Sequence, residues 1–181
     1  MPVPSYIAVL KRHKAAAEDV QNYFMHLPAL INADYPWEVS IAYMFILVER
    51  AQNRTLYGGA VKLHRADADI ARSIFDSLHV TRASFLKLYE RILGQALPDL
   101  TAAKLKVAEK IRDRTVHGKN PSEPEFRQAL VDVLDYAEDL NTHVEKIAVF
   151  RPFGDMRGFK GAAQPLLKET SRWLLRGLLA D

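Results

Sequence analysis

The chain has 181 residues, 49% of them hydrophobic and 26% charged, and a formal net charge of +3. That length suits one domain with its own core, and that balance is globular rather than disordered. There is no cysteine, which excludes a disulfide framework and a thiolate metal site and fits a reducing, cytoplasmic setting.

The first residues, MPVPSYIAVLKRHK, lack the long apolar stretch and small-residue cleavage site of a signal peptide. The longest apolar run, Ile41 to Val48, is far shorter than the roughly 20 residues a membrane span needs. A soluble protein with no membrane partner is expected. The first predicted helix begins near Lys14 and ends before Pro28. A long helix then starts after Pro36, near Trp37, and runs to about His64. Its middle is apolar on every side and is expected to be buried, with Gly58-Gly59 bending it or admitting a close neighbour. Glu49, Arg50 and Asn53 interrupt it, so their heads are candidates for polar support. A polar network or interface pair is favoured there over a site role.

Two further helical pieces follow, Asp67 to Leu78 and Thr81 to Leu93, with Thr81 capping the second and Gly94 ending it. Thr101 is read as the cap of the next helix and Gly118 as its end. After NPSEP, Ser122 and Glu125 have the spacing of a capping box. Phe126, Leu130, Val133, Ala137, Leu140, Val144 and Ile147 then recur at alternating spacings of four and three, the seam of a helix packed along another. A loop, FRPFGDMRGFKG (Phe150 to Gly161), leads to a last helix through Leu166, Leu167, Trp173, Leu174 and Leu178. No alternating strand pattern competes. The expected fold is an all-α bundle forming a single domain over residues 1–181. Its core spans about 14–149, and a basic loop and helix occupy 150–181.

The charge is uneven. Thr101 to Asn120 is locally +4 and Arg151 to Asp181 locally +3, while the rest is net −4. Basicity gathered in two segments suggests a polyanion-binding face. The first of them holds KIRDRTVHGK, Lys110 to Lys119. On a helical wheel with Leu105 at zero, Val116 falls at about +20° and Arg112 at about −20°, so Arg112 lies inside an apolar stripe with Leu105, Ala108 and Val116. A guanidinium there needs a carboxylate, an interface or a ligand. Asp113 and His117 are an i, i+4 pair whose contact would fix the imidazole tautomer and favour its protonated form, as does the carbonyl end of the helix. Each feature also has a plain structural account, because Lys, Arg and His suit a last turn before a C′ glycine.

IRDRTVHGK resembles the Arg–(four to six residues)–His motif of the HEPN superfamily, including the polar residue after the arginine and the His-Gly helix end. The architecture from Trp37 to Val149, a long buried helix before the motif and another long helix after it, is similar too. The resemblance implies a HEPN-type bundle with additional N- and C-terminal helices. It implies a metal-independent endoribonuclease, often a toxin or defence component paired with an antitoxin protein, and a homodimer that brings two motifs together. Arg112 and His117 would then be catalytic and Asp113 auxiliary, with no cofactor and no metal. Cleavage through the RNA 2′-OH would leave 2′,3′-cyclic phosphate ends. Arg114 and Lys119 are candidate phosphate contacts.

The remaining histidines, His13, His26, His64, His79 and His143, form no metal-binding spacing. In the loop, Arg151, Arg157 and Lys160 alternate with Phe150, Phe153 and Phe159. They could grip RNA backbone and bases, or the aromatics could tie the loop to the bundle. The competing function is a non-catalytic helical module that binds nucleotide, RNA or a partner protein, with Arg112 at an interface and His117 as a cap.

Overall fold

The computed structural model describes residues 3–33 and 35–180. Among them there are nine helices and no strand: α1 (Tyr6–Ala15), α2 (Glu18–Tyr23), α3 (Leu27–Asn32), α4 (Trp37–Leu63), α5 (Ala68–Ser77), α6 (Arg82–Leu93), α7 (Asp99–Val116), α8 (Glu123–Ala148) and α9 (Lys168–Leu179). The all-α expectation holds. None of these helices is long and apolar enough to cross a membrane.

Several boundaries follow from local chemistry. Asp67 and Thr81 accept from the amides of Ile70 and Ser84, capping α5 and α6, and Gly94 closes α6 at φ +77°. The single N-terminal helix expected from Lys14 to Pro28 is instead three short ones. Pro28 opens α3 rather than ending a helix, since its missing N–H and fixed φ suit a first turn. Thr101 does not cap α7. The helix starts at Asp99, and buried Thr101 donates to Asp139 at 3.2 Å.

The chain divides into two compact units whose boundaries fall inside α4 and α8. The first comprises the segment up to Val48, Pro98–Asn141 and Phe153–Asp155. Its core is Val9, Val20, Phe24, Leu27 and Met44 against the α8 seam residues Leu130, Val133, Ala137 and Leu140, all fully buried. Carboxylates on α8 tie the other helices to it. Asp135 takes Arg12 at 2.6 Å, Glu138 takes the same guanidinium and the Ala17 amide, and Asp139 takes Lys104 at 2.8 Å. Phe153 is fully buried among Tyr23, Phe24 and Tyr136, and its amide donates to Asn141 at 2.8 Å. Aromatic pairs of this kind contribute about 0.5–1.5 kcal/mol each beyond their buried area.

The second unit comprises Glu49–Leu97, Thr142–Pro152 and the chain from Met156 onward. Here Gly58 and Gly59 admit close neighbours rather than a bend. A Cβ on Gly58 would lie 2.3 Å from the Phe150 ring, and one on Gly59 would lie 2.7 Å from Ile92. Phe159 packs on Tyr57 and Phe150, so of the two readings of the Gly- and Arg-rich loop its aromatics serve the tie-down. In α9 the inward residues are Ser171 and Leu175, while Trp173 and the preceding Leu167 are 71% and 79% exposed. Ser171 Oγ accepts from the Asp67 amide, docking α9 against the start of α5. Tyr89 is fully buried with its hydroxyl unpaired among the described residues, and burial pushes its pKa up to about 12.

Candidate functional site

The candidate site is built at the C-terminal end of α7. The inward stripe of this helix is Thr101, Leu105, Ala108 and Ile111, and it turns toward Arg112 in the next turn. Arg112 is half-buried, as the wheel suggested, but Val116 is not its companion in the stripe: Val116 is 70% exposed. The buried stripe lies further from Val116 than the wheel placed it, because Ile111 rather than Val116 completes it.

What Arg112 meets is an aromatic face. Its guanidinium carbon lies 5.1 Å from the ring centroid of Phe45 on α4, a cation–π distance. Its Nε is 3.3 Å from Asp113 Oδ1, an ion-pair separation whose angle is unsuited to hydrogen bonding. The buried Nε therefore makes no hydrogen bond among the described residues. Asp113 accordingly turns to its neighbour in sequence, and the expected side-chain pair between Asp113 and His117 does not form among the described residues. His117 is the C-cap and exposed, joined to Asp113 only through its backbone amide at 3.0 Å.

The helix end is fixed by a Schellman arrangement. Gly118 adopts φ +71° and donates to Thr115, while Lys119 donates to Arg114 at 2.8 Å. Arg114 turns to Glu125 on α8 at 2.6 Å, so this candidate phosphate contact is occupied by a structural ion pair. Glu125 also accepts from the Ser122 amide and hydroxyl at 2.7 and 2.9 Å, the glutamate half of the expected capping box. The Ser122 amide, then Arg114 and the Ser122 hydroxyl, hold the Glu125 carboxyl down to about 2. The α7–α8 junction is thus rigid where His117, Lys119 and the α7 lysines Lys106 and Lys110 face solvent.

Arg112, Asp113, Arg114, His117 and Lys119 come together on one helix end in the first unit. The remaining candidates belong mainly to the second. Arg151 is paired with Glu145 at 2.8 Å, and Arg157 and Lys160 are exposed. Phe150 and Phe153 are buried and cannot stack on bases. Glu49 and Arg50 are exposed, so neither belongs to a buried polar network. The middle of α4 is not covered on every side, since Ala42, Ile46, Glu49 and Arg50 form an exposed stripe with Ile46 61% exposed. Asn53 is half-buried, and its buried Oδ1 has no hydrogen-bond partner among the described residues.

Sequence reasoning missed two features. One is Phe45, the platform under Arg112, hidden inside an apolar run that reads as plain core. The other is a cleft of about 370 Å³ in the first unit, lined by Tyr6, Ile31, Asn32, Tyr35, Trp37, Ser40 and Glu123. No group of three or more His, Asp and Glu residues is placed to hold a metal ion among the described residues. Comparison with family models, with curated proteins and with solved structures finds no match to this chain.

Proposed function

We propose that this chain is a HEPN-like, metal-independent endoribonuclease, a candidate toxin or defence component, acting as a homodimer on RNA. The observation that carries the reading is the pairing at the end of α7. A half-buried arginine whose Nε makes no hydrogen bond precedes, by little more than one turn, an exposed histidine at the helix cap. With Nε buried, the terminal amines of this guanidinium are the donors left for the non-bridging oxygens of a phosphodiester. Phe45 supports its plane without using up its donors, because a ring face takes no hydrogen bond from the guanidinium edge.

The chemistry needs no protein nucleophile. The RNA 2′-OH attacks phosphorus, the P–O5′ bond breaks, and the products are a 2′,3′-cyclic phosphate and a 5′-hydroxyl. One His117 accepts the 2′-OH proton and a second, from a dimer mate, gives a proton to the departing 5′ oxygen, steps typically contributing about 10²–10⁴-fold. Arg112 stabilises the charge that develops on phosphorus. Asp113, in contact with Arg112 rather than with His117, orients the guanidinium. The exposed Ile46, next in sequence to Phe45, and the exposed Val116, one turn beyond Arg112, support a second subunit here. The test is cleavage of RNA by the purified protein in EDTA, lost in His117→Ala and Arg112→Ala.

A second reading, a non-catalytic interaction module, is favoured by one observation. Phe45 and Asp113 already account for the burial of Arg112 without a ligand. It predicts no cleavage by the wild type, and a protein partner, antitoxin or otherwise, on the same face.

A further inference from the structure

We infer that the cleft lined by Tyr6, Asn32, Tyr35, Trp37, Ser40 and Glu123 is a subsite for an unpaired nucleobase, guanine before the others. It rests on the proposed reading of the chain as an RNA-acting protein for the source of that base, and on the cleft alone for its chemistry.

The cleft holds about 370 Å³, within the range of small-ligand sites. Three aromatic side chains enter it from separate places: Tyr6 in the first turn of α1, Tyr35 before α4 and Trp37 in its first turn. Tyr6 and Tyr35 are 48% and 56% exposed, so their rings are open rather than packed into the core. Stacking on such rings is worth about 1–3 kcal/mol per base in single-strand recognition. The same lining brings the Asn32 amide, the Ser40 hydroxyl and the Trp37 indole N–H, for which no hydrogen bond is seen among the described residues. Ser40 is itself nearly fully buried, at 1% exposure, yet lines the cleft.

Glu123 decides between ligand classes. An aromatic cleft with a carboxylate also suits an organic cation. Here Glu123 Oε1 is already taken by Arg127, whose side chain is only 10% exposed and is anchored through Nε to the Val3 carbonyl at 3.1 Å. The pair carries no net charge to draw a cation, while Glu123 Oε2 keeps its acceptor capacity. A neutral, planar partner with donors on its edge fits that arrangement. Guanine presents N1–H and the exocyclic N2 amine side by side, donors for Oε2 and for the lone pair that Oε1 keeps beside Arg127, and its O6 and N7 remain for an amide or hydroxyl donor. Glu123 also opens α8, two residues before the Glu125 that holds Arg114. The base subsite therefore shares the first turn of α8 with the α7–α8 junction.

The experiment uses Trp37 as reporter. The chain has two tryptophans, so the exposed Trp173→Phe background leaves Trp37 alone. Titration with guanosine 5′-monophosphate should quench Trp37 fluorescence saturably, inosine 5′-monophosphate should bind about tenfold more weakly for want of the N2 amine, and ribose 5-phosphate should give no response. Tyr35→Ala and Glu123→Gln should each weaken binding, with unchanged helicity by circular dichroism as the check on folding. His117→Ala should leave it unchanged, which separates this subsite from the ribonuclease reading: binding without cleavage sinks that reading only, and cleavage without binding sinks this one only. Absence of saturable quenching, equal quenching by ribose 5-phosphate, equal binding of guanosine and uridine monophosphates, or a stronger response to tetramethylammonium would each overturn the proposal.

Discussion

Arg112 poses the residue-scale question of why a half-buried guanidinium is tolerated with a donor unused. Phe45 offsets part of its desolvation, since a cation over an aromatic face gains about 0.5–2 kcal/mol depending on exposure. The Nε is itself buried and out of a ligand's reach, so a ligand oxygen would have to meet the terminal amines of the guanidinium. Asp113→Ala should accordingly reduce RNA cleavage less than Arg112→Ala, because the carboxylate orients the guanidinium and does not touch the histidine. Rates of the two variants on one RNA substrate check this, and an equal loss would give Asp113 a direct role. A second residue carries strain. Val149 holds φ +57° immediately after α8 and is 77% exposed. A β-branched side chain in the left-handed region costs about 1–2 kcal/mol, and nothing buried is lost with it. Val149→Gly should stabilise the fold by about 1 kcal/mol, the freer unfolded chain taking back some of the relief. Urea denaturation with an unchanged m-value reads it directly, and a lower midpoint would contradict it.

At the scale of elements, the α7–α8 junction depends on one carboxylate. Glu125 is held down to about 2 from an ordinary value of 4.5, so its folded pKa lies below its unfolded one. Its contribution is therefore present above pH 4.5 and lost as pH falls from 4.5 toward 2. Glu125→Ala should be less stable than wild type at neutral pH, and the gap in Tm should close across that acid window. A gap that stays constant would mean the carboxylate does not act through its charge. Caps of this kind are what made the helices legible in the sequence. Thr81, Gly94, Gly118 and Ser122 each mark a boundary by a hydrogen bond or a backbone angle that few residues supply. Where the sequence misled, a tertiary contact decided. Pro28 looks like a stop and is a start. Thr101 looks like a cap and instead serves Asp139 across the unit.

On the scale of the whole molecule, the site is legible only where it is local. Arg112 to His117 is one stretch of helix and can be read from spacing. The cleft draws on the first turns of α1, α4 and α8 and the end of α3, an assembly with no repeating interval. The basic segments are likewise assigned by sequence but not energetically equal. Arg114 and Arg151 are spent on Glu125 and Glu145, whereas Lys106, Lys110 and Lys119 are exposed. If phosphate is drawn to the helix end, charge reversal at Lys110 and Lys119 should weaken RNA binding more than reversal at Lys11 and Lys14. Salt-dependent affinity measures the difference, with log K rising less steeply as salt falls for each contact removed. Equal effects would move the footprint elsewhere. Assembly is the remaining whole-molecule expectation: sedimentation should show a symmetric homodimer that a charge at Val116, such as Val116→Glu, dissociates. A monomer at all concentrations would leave each His117 without its mate.

The measurement that bears most directly on the central claim is RNA cleavage in excess EDTA, comparing wild type, His117→Ala and a mixed dimer of the two. The account predicts metal-independent cleavage by the wild type to 2′,3′-cyclic phosphate ends, none by the His117→Ala homodimer, and a mixed dimer with most of its activity lost, because one composite site needs both histidines. Full activity of the His117→Ala homodimer, or cleavage that vanishes with EDTA, would contradict it.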